Sequence, residues 1–229
     1  MEDFRDRLAV DYRSKEHLDR YLMPLDHPVR GFLERVFSTP GVTDSLDSIK
    51  ALGFQIILSM PQHAVIMQHP SAPGYIFKIY PDSQSETEEG ISSAEWFLRR
   101  CEGASKIRAL IQKKGIRHFV VPDKWLYLLP HAKHHRLLLV ATDMNLVTKA
   151  ETEAAWRQSI TRDHLYEFYA IVSAGYGSVE LVDNVPYTKE GTFAFIDTEK
   201  LKRRHDLSKV KKHLSKEMRH YWQMLLDAK

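Results

Sequence analysis

Between residues 54 and 80 the chain holds three short β-prone runs, residues 54–59, 64–68 and 75–80. Pro61-Gln62 divides the first pair, and a stretch from His69-Pro70 to Gly74 divides the second. Strands this close in sequence pair antiparallel, because a parallel neighbour needs a crossover of a dozen or more residues. The expected unit is therefore an antiparallel meander. Its third run reads Tyr-Ile-Phe-Lys-Ile-Tyr and carries Lys78. Alternation sets Lys78 opposite Phe77 and Ile79, which is the solvent side of a half-buried sheet.

Helical signals surround the meander. Residues 1–27 are polar with scattered apolar positions (Tyr12, Leu18, Tyr21, Leu22) and read as an N-terminal arm, packed on the body or partly mobile. Pro28 suits a first helical turn, with Phe32, Leu33, Val36 and Phe37 on one face before Thr39-Pro40-Gly41. Asp44, with Asp47 three residues on, is the expected cap of a helix that stops at Gly53. Residues 82–90 form an acidic loop. A helix then starts at Ser92 or Ser93, with Glu95 in its first turn, and runs to Cys101; residues 105–114 continue it as a second piece ended by Gly115.

Further strands are expected at residues 118–121, 124–129 and 136–142. The last two flank a loop with His131, His134 and His135, which without a carboxylate or thiol reads as solvated rather than metal-binding. A short polar helix over 151–158 precedes one capped by Thr161, with Leu165, Phe168, Tyr169 and Val172 on one side. The stretch from Asp183 to Glu199, DNVPYTKEGTFAFIDTE, reads as a tight hairpin: residues 185–187 and 193–196 flank a turn containing Gly191. Asn184 stands just before its first strand and Asp197 just after its second. Residues 206–213 and 215–227 close the chain as basic helical pieces sharing an apolar packing line of Val210, Leu214, Met218, Tyr221 and Leu225.

Composition limits the function classes. With 43% hydrophobic and 28% charged residues the chain is globular rather than disordered. One cysteine, Cys101, excludes an internal disulfide and fits a reducing compartment. No apolar run approaches the roughly 20 residues of a membrane span, and the N-terminus is charged where a signal peptide is apolar. Residues 200–229 carry ten Lys/Arg against three Asp/Glu, and the remainder 23 against 27. Such a tail is either a solvated helix face or a surface for acidic partners. Nucleic acid is not an expected partner.

The order of helix, three strands, helix, further strands, helix, hairpin and helices resembles the protein-kinase-like fold in reduced form. Lys78 in YIFKIY resembles the third-strand lysine that contacts nucleotide phosphates, and Glu95, 17 residues later, resembles the glutamate that pairs with it. LLLVATDMNL, residues 137–146, resembles the strand entering the hinge, where backbone at Asp143 and Met144 would meet an adenine ring. Asn184 and Asp197, 13 residues apart, are similar to the Mg²⁺-binding Asn and Asp of kinases, although Thr198-Glu199 follows instead of Phe-Gly.

The resemblance implies an α+β, two-lobed protein: residues 1–53 as an N-terminal helical extension, 54–145 as an N-lobe-like antiparallel sheet with one long or broken helix, and 146–229 as a reduced helical C-lobe with the metal-binding-type hairpin and basic tail. It implies ATP and Mg²⁺ as cofactors.

Departures from the kinase pattern shape the expectation. The turn over the phosphates reads Ser59-Met60-Pro61-Gln62 where glycines are expected. Five residues before Asn184, where a catalytic Asp would stand, is Val179. Glu180 is the nearest carboxylate; it is either the catalytic base of a loop shifted by one residue or a solvated acid. Three readings stay open: an ATP- and Mg²⁺-dependent phosphotransferase, a catalytically inactive pseudokinase serving as a protein-interaction module, and an unrelated α+β domain. The chain is also similar to bacterial proteins with a minimal kinase-like core. That similarity implies a protein exported into a host cell without a cleaved signal, beside the cytoplasmic location that the single cysteine and the charged N-terminus fit.

Overall fold

The computed structural model describes residues 18–84, 87, 90–200 and 204–228. Tyr12, four residues of the acidic loop (Ser85, Glu86, Glu88 and Glu89), and the basic residues Lys202, Arg203 and Lys229 lie outside the described residues. The chain is mixed α+β and divides into two compact units, residues 1–98 with 123–143, and 99–122 with 144–229.

In the first unit, α1 (Arg30–Val36) and α2 (Leu46–Ala51) precede β1 (Gln55–Leu58), β2 (Val65–Gln68) and β3 (Tyr75–Ile79). The meander forms as its spacing requires, and β5 (Lys124–Leu128) and β6 (Leu137–Thr142) extend it to an antiparallel sheet of order β1-β2-β3-β6-β5. Phe32 and Leu33 of α1, Phe37 just past its end and Ile49 of α2 pack with Phe54, Met67, Phe77 and Val140. Phe54 meets Phe77 edge to face at 5.6 Å. The helices before the sheet thus complete its core.

Three expectations are corrected here. The cap of α2 is Ser45, whose Oγ accepts the Ser48 N–H at 3.1 Å, while Asp44 pairs with Lys133 at 2.9 Å. Lys78 does not face solvent: it is 7% exposed. It stands on the middle strand, in register with the apolar Ile66 and Leu139, so alternation no longer separates a wet face from a dry one. The histidine loop is only partly solvated. Asp82 accepts the backbone N–H groups of Lys133, His134 and His135. His135 is drawn inward, its ring bonded to Ser93 Oγ at 2.9 Å and to the Gln84 carbonyl at 2.6 Å, whereas His131 and His134 stay exposed.

A single helix, α3 (Ser93–Lys114), replaces the two pieces the sequence suggested, and it runs through Gly103 without interruption. It supplies the first unit as far as Leu98 and the second from Arg99 onward.

The second unit is built on α4 (Lys149–Gln158) and α5 (Arg162–Val172), each opened by a threonine capping box, at Thr148 and Thr161. β4 (Phe119–Val120) does not join the large sheet; it pairs in parallel with β7 (Phe193–Ala194). Trp156, Phe168, Phe193, Phe195 and Trp222 form the centre of this core. Buried indole groups are satisfied, Trp156 Nε1 by the Val185 carbonyl at 3.0 Å and Trp222 Nε1 by that of Leu207 at 2.9 Å.

The tail packs as its apolar line predicts. A 3₁₀ segment, Leu207–His213, and the last helix, α7 (Lys216–Asp227), bury Val210, Leu214, Met218 and Trp222, with Tyr221 and Leu225 partly covered. Lys209, Lys212, Lys216 and Arg219 are left exposed. Among the described residues, no helix is long and apolar enough to cross a membrane.

Candidate functional site

The residues singled out by sequence fall in both units. In the first, Lys78 lies on β3 and Glu95 in the first turn of α3, its N–H donated to Ser92 Oγ at 3.2 Å. The turn after β1 takes its tight geometry from Gln62, at φ 64°, and holds no glycine. Asp143, just past β6, donates its N–H to the Gly74 carbonyl at 2.9 Å, which ties the end of β6 to the start of β3.

In the second unit Met144 is half-buried and the chain turns at Asn145. It then runs antiparallel to the expected hairpin: Lys189 N–H donates to the Asn145 carbonyl at 2.9 Å and Val147 N–H to that of Tyr187 at 3.0 Å. Asn145 Nδ2 donates to Glu190 Oε1 at 2.9 Å; this bond comes first among the causes that hold Glu190 below the usual carboxylate range.

The hairpin itself is short. Thr188 N–H donates to the Thr192 carbonyl and Ala194 N–H to that of Pro186, both at 2.9 Å. Asn184, expected just before the hairpin's first strand, does not stand in extended chain. It ends a single helical turn, α6 (Leu181–Asn184), whose buried Leu181 and the following Val185 anchor it in the core. Ile196 N–H donates to the Asn184 carbonyl at 3.1 Å, so the backbone does bring the start of the hairpin beside the residue preceding Asp197.

Each of the two side chains has a partner in the same unit. Asn184 Nδ2 donates to Ser178 Oγ at 3.0 Å. Asp197 Oδ1 accepts from Arg100 Nη1 of α3, and Arg100 Nε lies 3.6 Å from Glu199 Oε2. Between these two acids Thr198 is 1% exposed, and its hydroxyl donates to the Arg100 carbonyl at 2.5 Å. A Cβ at Gly103 would stand 1.7 Å from the Thr198 carbonyl oxygen. Residues 197–199 are therefore seated directly on the helix backbone.

Arg100 and Gly103 were not singled out by sequence, which read Gly103 as lying in a break between two helical pieces. Gly177, like Gly103, is closely approached: it adopts φ +70°, and a Cβ there would fall 2.5 Å from the Phe195 ring.

Val179 is 6% exposed and belongs to the core. Glu180 donates its N–H to Ser178 Oγ at 3.1 Å, and its half-exposed carboxylate lies 3.8 Å from Lys209. The donor set that the resemblance implies for Mg²⁺ does not fit the ion as arranged. Asp197 Oδ1 is engaged by the Arg100 guanidinium, and a second positive charge against it would be repelled.

No protein-family model matches the chain, and no curated protein matches it.

Proposed function

We propose that the protein is a kinase-like pseudokinase that acts by binding partners and does not transfer phosphate. The observation that carries this reading is the engagement of Asp197 and Glu199 by Arg100, the carboxylate that would hold Mg²⁺ being neutralised by an arginine of its own unit. The buried Val179 at the position of the proton acceptor agrees with it, as does the ion pair that occupies Glu180. Phosphoryl transfer relies on positioned cations and an oriented nucleophile, and neither is supplied by these side chains. The exposed basic residues of the tail offer one surface to an acidic partner.

The test is incubation of the full chain with radiolabelled ATP and Mg²⁺, alone and with generic acceptors. No label is expected on protein or acceptor. Incorporation that disappears in Asp197→Ala would refute the pseudokinase reading.

A phosphotransferase is the second reading. It is favoured by the burial of Lys78 on the middle strand, in register with the strand that leads to Asp143 and Met144. It expects a thermal shift with ATP that depends on Mg²⁺ and is lost in Lys78→Ala. At about 100 times the dissociation constant, ligand would add about 2.7 kcal/mol.

A further inference from the structure

Glu199 poses a problem that ordinary packing leaves unsolved. Its side chain is 9% exposed, and its Oε2 is buried with no hydrogen-bond donor among the described residues. Arg100 Nε stands 3.6 Å away, beyond hydrogen-bond range, while Nη1 of the same guanidinium is committed to Asp197 Oδ1. A buried carboxylate requires both a counter-charge and donors or ligands for its lone pairs. Here it has the charge without the bond. The two acids are aimed at one positive group because Thr198 between them is fixed, by its hydroxyl on the Arg100 carbonyl and by its own carbonyl against Gly103.

Resting on the pseudokinase reading above, we propose that Arg100 is a built-in substitute for a divalent cation: its guanidinium fills the place that Asp197 and Glu199 face, excludes Mg²⁺ and Mn²⁺ from it, and leaves behind a carboxylate pair able to bind a cation when the guanidinium is removed. The guanidinium keeps its charge at every working pH, so the exclusion is permanent rather than switched. A hard dication takes carboxylate oxygens and water as ligands, and would satisfy the Glu199 oxygen that the planar fork does not reach. Guanidinium and dication compete for the same two oxygens.

Mn²⁺ is the probe, followed by the electron paramagnetic resonance of the free ion and by thermal melts without nucleotide. The wild-type chain is expected to bind no Mn²⁺ that depends on Asp197 and to melt at an unchanged temperature. Arg100→Gln is expected to melt lower than wild type and to recover with Mn²⁺. Arg100→Gln combined with Asp197→Asn should lose that recovery. Arg100→Lys, which keeps a positive charge, should fold and ignore Mn²⁺.

Mn²⁺ binding by the wild type that vanishes in Asp197→Asn would overturn the proposal, whether or not Arg100→Gln folds. So would an Arg100→Gln protein that folds and is indifferent to Mn²⁺, or an Arg100→Lys protein that binds it as Arg100→Gln does. Label transfer by the wild type would defeat the functional reading by a separate measurement, whereas a Mn²⁺-silent Arg100→Gln would defeat this inference alone.

Discussion

Replacing Gly103 by alanine sets two opposed effects on one residue. Within a helix, alanine is favoured over glycine by about 1 kcal/mol, because glycine loses more backbone freedom on folding. Gly103 lies well inside α3, so propensity alone predicts a more stable protein. Against this, the new Cβ would stand 1.7 Å from the Thr198 carbonyl oxygen and 2.8 Å from its carbon. Carbon and oxygen make close contact at about 3.3 Å, so residues 197–199 must retreat by roughly 1.6 Å.

That retreat stretches the 2.5 Å bond from Thr198 to the Arg100 carbonyl and loosens both carboxylates from Arg100. Overpacking at about 3 kcal/mol and one hydrogen bond at about 1 outweigh the propensity gain. The net loss is about 3 kcal/mol, or about 6–12 °C in melting temperature for a chain of this size. Urea and thermal unfolding followed by tryptophan fluorescence measure it, with Trp156 and Trp222 reporting on the second unit.

Gly31→Ala on α1 is the control. The nearest atom to its Cβ is the tip of Arg35 at 3.8 Å, so a gain of up to about 1 kcal/mol is expected. A Gly103→Ala protein as stable as wild type, or more so, would refute the close seating of Thr198 on the helix.

Two further outcomes follow from local contacts. Ser45→Ala should cost about 1 kcal/mol by removing the cap of α2, and Asp44→Ala less than about 0.5, because only an exposed pair with Lys133 is lost; comparing their urea midpoints decides which residue caps the helix. Burial, and then the His118 ring at 4.0 Å, hold His164 below the ordinary histidine range against the opposing Glu167 and Asp163. A base depressed on folding adds stability that is full above its unfolded pKa of about 6.5 and is lost as pH falls through the folded value. His164→Gln keeps a capping residue at that position and should flatten the fall in urea midpoint between about pH 7 and 5; an undiminished fall would exclude His164 as its source.

Local chemistry made much of this protein legible from its sequence. Short spacing forced β1, β2 and β3 into an antiparallel meander, since nothing between them is long enough for a crossover. Thr161 announced its helix because a hydroxyl before an apolar-periodic run satisfies the free N–H groups of the first turn. The line of Val210, Leu214 and Met218 marked its own buried seam. These features depend on neighbours a few residues apart, and a linear pattern records them.

Other features depend on partners brought together only by folding. Alternation could not tell whether Lys78 was wet, because its burial follows from two strands added to the meander's edge by residues 124–142. Nor could it tell that β4 would leave the sheet to pair with β7, more than 70 residues later. In the hairpin that ends at Asp197, sequence supplied the two oxygen-bearing residues and the backbone ladder that joins their ends. Tertiary structure decided what Asp197 faces, because Arg100 lies 97 residues away on α3, and charge pairing across that distance leaves no periodicity to read.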